Sequence, residues 1–410
     1  MTATVPPGDQ GSAVTQPLGW SGGRPATAPV EQAGGPVPGA GLRPVGSVDG
    51  RVPGAKTRSG SADGRVPGAG ARPPVAGSES VASVGGRVPS QPPGPGGRPS
   101  SRRRPGTWRR GRIIAALAIL TALLLLAHPL IPNWPGNAGS LLETFLPWTG
   151  ALVLLLLTAA LLRRSALALV ALLLPTLVWS TSFGAKLFDH RGTGGDLTVV
   201  SHNVNDENLD PAGTARALAA SNAQVIALEE LKRSEIPKYE DALAARYPHH
   251  TVQGTVGVWS TFPLRDTRPV EIMPWTRALR TTVDTAKGPV ALFVAHLPSV
   301  RVRLDSGFTA NGRDAAVERL AAEVAADSAE KVVLVGDFNG TTDDRALAPI
   351  TARLKAAQDE AGDGFGFSWP ASLPLARIDQ VFVGGVRAVA AWTLPATGSD
   401  HLPVAATVAL

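Results

Sequence analysis

No cysteine occurs among the 410 residues, which excludes disulfide staples, thiolate metal sites and cysteine nucleophiles. Compartment stays open, because many exported proteins also lack this residue. Acidic side chains are scarce in the first half of the chain. Residues 1–195 hold 7 of them against 19 basic ones, a net +12, whereas 196–410 hold 26 against 20, a net −6. The second half therefore has no cationic surplus with which to neutralise a nucleic-acid backbone, which counts against a general DNA-binding domain there. Aromatics are nearly missing from residues 1–108, where Trp20 and Trp108 stand among Gly, Pro, Ser, Ala and Val. A segment of this composition cannot bury enough apolar surface to offset chain entropy, so 1–108 is expected to be a disordered tail. GRVPGA occurs at Gly50–Ala55 and Gly64–Ala69, with GRVPS at Gly86–Ser90. Irregular spacing and the lack of a hydrophobic face argue against a solenoid and for a spacer or a weak multivalent tail.

Charge disappears next. Arg102, Arg103, Arg104, Arg109, Arg110 and Arg112 precede Ile113–Ile131, which has no charged side chain and approaches the roughly 20 residues that span a bilayer. A cleaved signal peptide would need a short charged N-terminal region, not a tail this long. Two further apolar runs, 145–162 and 165–183, are separated by Arg163 and Arg164. Three membrane helices are thus predicted over about 113–131, 145–162 and 165–183. Both arginine groups favour the cytoplasm, so the N-terminus is expected inside and everything after Phe183 outside. Trp134, Trp148 and Trp179 fall where interfacial aromatics belong on the outer side, and Pro175 falls inside the third span.

After a linker at 184–195 the composition becomes that of an ordinary domain, 196–410, with alternating strands and helices. Strands are predicted at Asp196–Asn203, Val225–Leu228, Pro289–His296, Lys331–Gly336, Ile378–Val383 and Val404–Val408. Helices are predicted from Asp210-Pro211, over Glu235–Tyr247 and over Asp314–Ala326. His249 and His250 are expected in a surface turn, and His128 and His190 join no motif. Polar residues gather where the strands end: Asn203, Asn205, Glu229, Glu230, His296, Asp337, Asn339, Asp379, Asp400 and His401. Strand C-termini are where a sheet holds loop side chains rigidly around a crevice. Carboxylates and amides suit a hard cation such as Mg²⁺, and two imidazoles could move protons. Glu229 should point away from the site, because neighbours on a strand face opposite sides.

The ordered set SHNVN (Ser201–Asn205), ALEEL (Ala227–Leu231), AHLPSVR (Ala295–Arg301), GDFN (Gly336–Asn339), RIDQVFV (Arg377–Val383) and SDHLPV (Ser399–Val404) resembles the endonuclease/exonuclease/phosphatase superfamily, the deoxyribonuclease I-like fold. That resemblance implies an α/β four-layer sandwich of two packed sheets flanked by helices, and Mg²⁺- or Mn²⁺-dependent hydrolysis of phosphoesters or phosphoanhydrides. Carried over by residue, it implies metal binding by Glu230, Asn203 and Asp400. It implies catalysis by His401 with Asp379 orienting its ring, by Asp337 with Asn339, and by His296 as general acid to the leaving group. Asn205, Arg301 and Arg303 become candidates for holding phosphate. Tyr239 and Tyr247 fall in a predicted helix, and the active-site tyrosine of repair nucleases has no evident counterpart. Three membrane helices ahead of such a domain also resemble the VanJ-type teicoplanin-resistance membrane proteins of actinobacteria.

The expected function is a membrane-anchored phosphohydrolase with an extracytoplasmic site acting on a lipid-linked phosphate or pyrophosphate. Membrane lipids are its expected partners, nucleic acid is possible but not favoured, and no obligate protein partner is evident. An extracytoplasmic nuclease, a phospholipase C-like phosphodiesterase and an inactive tethered binding module are the alternatives.

Overall fold

Alternation of apolar residues builds strands here, and continuous apolar runs build the helices that precede them. The computed structural model describes Gly106 and residues 110–410. Apart from Gly106, the predicted disordered tail lies outside the described residues, as do Arg102, Arg103, Arg104 and Arg109.

Helices α1 (Arg112–Ala127), α2 (Ala138–Thr144), α3 (Thr149–Arg163) and α4 (Ala166–Phe183) come first. With their 3₁₀ extensions, three segments are long and apolar enough to cross a membrane: Arg112–Leu130, Leu146–Arg163 and Ala166–Leu187. The third runs four residues past the expected end, into the segment read as linker. Small side chains line the seam between the long helices, with Ala115, Ala118, Ala160 and Ala168 buried around Leu156 and Leu172. Ile113, Leu120, Leu154, Leu155 and Leu173 point outward. Small-residue seams with apolar exteriors are the pattern of helices packing in lipid. The Ser165 hydroxyl donates to the Arg110 carbonyl, so the arginines that begin α1 and those between α3 and α4 share one end of the bundle.

The strands follow as β1 (Leu197–Asn203), β2 (Val225–Glu229), β3 (His249–Gln253), β4 (Val256–Ser260), β5 (Leu264–Pro269), β6 (Ala278–Thr285) and β7 (Gly288–His296). Then come β8 (Val302–Arg303), β9 (Gly307–Phe308), β10 (Val332–Asp337), β11 (Lys355–Ala356), β12 (Asp379–Gly384), β13 (Arg387–Thr393) and β14 (Val404–Ala409). Two mixed six-stranded sheets result, ordered β13-β14-β1-β2-β4-β3 and β11-β12-β10-β7-β6-β5, plus the β8-β9 hairpin. Between the sheets lies a core of Val199, Val225, Val258, Leu292, Val335, Val383 and Val408. Each such side chain contributes roughly 1.5–3 kcal/mol when fully buried. Helices α5 (Pro211–Ala219) and α6 (Ile236–Leu243) cover the first sheet through Leu218, Leu243 and Trp259. Helix α7 (Asn311–Ala326) covers the second through Val317 and Leu320 against Phe293 and Leu334. The four-layer α/β sandwich expected from the motifs is therefore present.

Local corrections have physical causes. Asp210 caps α5 as expected, accepting from the Gly213 amide at 2.8 Å. Helix α6 stops at Leu243, short of the predicted Tyr247, because Pro248 follows and the Tyr247 hydroxyl donates to the Ala223 carbonyl at 2.9 Å. His249 and His250 are not in a turn but in edge strand β3, where the His250 ring stacks on Trp259 with centroids 6.1 Å apart. His190 contacts the Ala185 carbonyl at 2.8 Å, and His128 lies 3.2 Å from Glu143.

Candidate active site

Register brings the strand-end residues together. Parallel pairing of β1 with β2 sets Asn203 opposite Glu229, and pairing of β7 with β10 sets His296 opposite Asp337. The antiparallel pair β10-β12 sets Asp337 opposite Asp379. Tight approach of β10 to β7 depends on Gly336, at φ 140°, where a Cβ would sit 1.8 Å from the Ala295 carbonyl oxygen. Glu230, Asn205 and Asn339 all take left-handed backbone, at φ 58°, 60° and 46°. For non-glycine residues this conformation carries strain, which concentrates at functional sites.

Asp337 is the hub. It accepts from Asn203 Nδ2 at 3.0 Å, from the Asn339 amide at 2.9 Å and from Asn339 Nδ2 at 3.1 Å. Burial pushes its carboxyl above the usual range, against the pull of His401. His401 sits with Nδ1 2.9 Å from Asp379 Oδ2, while Asp379 accepts from the Ser368 hydroxyl at 2.6 Å. That hydrogen bond orients the ring and turns Nε2 toward Asp337, 3.9 Å away. Burial disfavours the His401 cation, but Asp379, then Asp337 and Asp400, outweigh it and raise the ring to about 10. At neutral pH His401 is accordingly an imidazolium, able to hold a phosphoryl oxygen or give up a proton.

His296 behaves differently. It is buried, and burial, then the charges of Arg277 and His401, hold it well below the usual histidine range. Its ring nitrogens face Arg277 Nη2, and Nε2 lies 3.3 Å from Glu230. The two histidines are thus held in opposite directions, His296 below and His401 above the usual histidine range. Glu230 is half-buried and raised by desolvation, with His401 and Asn203 opposing. Asp400 is exposed, accepting from Asn205 Nδ2 at 3.0 Å and lying 3.4 Å from Trp369 Nε1. Glu229 is buried away from the cleft on the Ser201 hydroxyl at 2.8 Å, as the strand alternation requires.

Asp337, Asp379 and His401 offer ligand atoms within 4.8 Å of one another. Glu230, Asn203 and Asp400, the residues implied to bind metal, line the same cleft as Asp337 and His401. Desolvated carboxylates at Asp337 and Glu230 are hard oxygen donors of the kind that fit a divalent cation. Such an ion, when bound, would polarise a phosphoryl group and offset charge on its oxygens.

A pocket of about 650 Å³ opens here, and Asn203, Asn205, Glu230, Asp337, Asn339, Asp400, His401 and Arg301 line it. Arg303 lies on β8 and is absent from the lining. Motif reading missed Arg277, Ser368 and Trp369 and gave no role to Ser399, the first residue of SDHLPV. Ser399 donates to the Asn203 carbonyl at 2.6 Å and accepts from the His401 amide at 3.1 Å, tying the last loop to β1. Serines and arginines carry no local signal for such roles; only their position beside the motif residues could have flagged Ser368 and Ser399.

Residues 200–401 match the family model described as Endonuclease/Exonuclease/phosphatase family. Among solved structures, the chain is similar to sphingomyelinase C from Streptomyces griseocarneus, at 20% identity and a TM-score of 0.41 over 52% of this chain and 99% of that one. It is similar to the endonuclease/exonuclease/phosphatase from Beutenbergia cavernae, at 18% identity and a TM-score of 0.42 over 53% and 72%. D. rerio TDP2 complexed with single strand DNA product matches at 17% identity and a TM-score of 0.45 over 53% and 100%. No curated protein matches. Behind its three long apolar helices the chain therefore carries, over residues 200–401, a domain of the endonuclease/exonuclease/phosphatase superfamily.

Proposed function

We propose that the protein is a membrane-anchored, divalent-cation-dependent phosphohydrolase whose site faces away from the cytoplasm and acts on a lipid-linked phosphate or pyrophosphate. One observation carries this reading: the catalytic domain is clamped to the end of the helix bundle opposite the arginines. Arg345 donates to both Glu143 oxygens at 2.7–3.0 Å and to the carbonyls of His128, Pro129 and Ile131 at 2.9–3.2 Å. Asn137 donates to the Phe308 carbonyl at 2.7 Å, and Trp148 donates to the Leu375 carbonyl at 2.8 Å. A site held at this end is within reach of substrates in the outer leaflet if the arginines face inward, as charge bias favours. The net-negative domain, with no cationic surplus, supports a lipid substrate over nucleic acid.

The architecture's resemblance to VanJ-type proteins supports a polyprenyl pyrophosphate carrier as substrate and glycopeptide tolerance as phenotype. Full-length protein with Mg²⁺ is given polyprenyl pyrophosphate and, separately, supercoiled plasmid, with Asp379→Asn as control. Phosphate release from the lipid alone is expected. Failure to release phosphate from any polyprenyl pyrophosphate sinks the proposal, and nicking of plasmid alone makes this a tethered nuclease.

A further inference from the structure

The pocket wall is not made by the catalytic domain alone. Leu141, Thr144 and Phe145, from α2 and its C-cap, line it together with Val300, Phe308 and Trp369. Positions 141, 144 and 145 share one face of a helix by their i, i+3, i+4 spacing, so the face of α2 that meets the cleft is mostly apolar. Another part of α2 is fixed to the domain through Glu143, which is gripped by Arg345, while Ser140 is tied to the loop before α2 by Asn133, which accepts from the Ser140 amide at 2.9 Å. The β8-β9 hairpin beside α2 is pinned as well. The Phe308 amide donates to the Gly136 carbonyl at 2.8 Å, and a Cβ on Gly307, at φ 73°, would lie 2.6 Å from the Gly136 Cα, an approach that only glycine permits. These held surfaces therefore bound a pocket that is lined by polar Asp337 and His401 and by apolar Leu141 and Phe145. Phe145 keeps 39% of its surface exposed, beside the start of the second long apolar segment.

From this we infer that the membrane region supplies the specificity wall of the active site. Leu141 and Phe145 receive apolar carbons further along the chain than the first few next to the phosphate, so the enzyme selects amphiphilic phosphates with a continuous hydrocarbon chain over short or polar phosphoesters. The inference rests on the phosphohydrolase reading above and adds which residues read the chain. Water alone would be a poor occupant of an apolar wall this close to a lipid phase. An amphiphile matches both parts of the pocket at once: its phosphate meets His401 and the amides of Asn203 and Asn339, and its chain continues along α2.

The test uses the full chain in phosphatidylcholine nanodiscs with Mg²⁺ and two substrates sharing one reacting group, dimethylallyl pyrophosphate and farnesyl pyrophosphate. Wild type should favour the longer chain by at least about tenfold in kcat/KM, since a few methylenes in an apolar pocket are worth that much. Leu141→Ser and Phe145→Ala should each lower kcat/KM for the longer substrate about tenfold, mainly through KM, and leave the shorter one within about twofold. Phe145→Leu, which keeps an apolar side chain, should retain the preference and guards against a variant that merely misfolds. Equal losses on both substrates, or no loss on either, overturn the inference while leaving the phosphohydrolase standing. No turnover of either substrate by wild type overturns the phosphohydrolase reading itself.

Discussion

Replacing Arg345 by alanine should loosen the catalytic domain from the membrane region without unfolding it. The Glu143 side chain is 2% exposed and has charge-assisted bonds from Arg345 Nε and Nη2 together with the Arg345 amide at 3.0 Å. Stripping the guanidinium from a buried carboxylate costs about 3–5 kcal/mol in general. Two features reduce that here. Arg345 itself is 31% exposed, so part of its interaction is screened, and His128 remains 3.2 Å from Glu143 to share the charge. Roughly 2–3 kcal/mol is then expected, which is about 30- to 150-fold in an opening equilibrium. Hydrogen exchange on the full chain in detergent reads this directly. Amides of α2 and the amide of Phe308, which bonds to Gly136, should exchange faster by that factor in Arg345→Ala, while amides of β10 and β12 stay protected. Glu143→Gln, which keeps a hydrogen-bonding side chain and loses only the charge, should give a rise of about fivefold. An increase below about threefold in Arg345→Ala, or one spread equally over both sheets, would refute the clamp.

Other outcomes follow from the site. Asp379→Asn should lower phosphate release by about 10²–10⁴-fold with little change in KM, because it removes the group that orients His401, and steady-state kinetics on the lipid substrate checks it. EDTA should abolish turnover and Mg²⁺ restore it in wild type, whereas Asp337→Asn should stay inactive at the Mg²⁺ concentration that restores wild type. The raised His401 also predicts a pH dependence in EDTA. Its stabilising contribution is fully present below the ordinary pKa of about 6.5 and is lost as pH climbs through about 10. Thermal midpoints of the metal-free protein should fall across that window, and His401→Asn should flatten the slope; an unchanged slope would show that the Asp379 contact does not hold the proton.

Much of this protein is determined by local sequence. Arg112–Leu130 is long and apolar enough to span because the eighteen residues after Arg112 carry no charge to desolvate, and β1, β7 and β10 form because apolar residues run to a polar terminus. Asn203, Asp337 and Asp379 were legible as a group because each ends or begins such a run. Edge strand β3 was not legible, since His249 and His250 interrupt any alternation and only Trp259 beneath them makes the strand pay its way. Tertiary structure alone decided which histidine carries the proton. His296 and His401 are the same side chain, yet burial and then the Arg277 guanidinium hold one below the usual histidine range while Asp379 raises the other above it. It also decided that Glu143 meets Arg345 across 202 positions, and that Leu141 and Phe145 line a cleft made by residues far along the chain. Side-chain chemistry and periodicity are properties of neighbours in sequence. A pocket wall is a property of how two sheets and a helix end pack, and no window of sequence contains it.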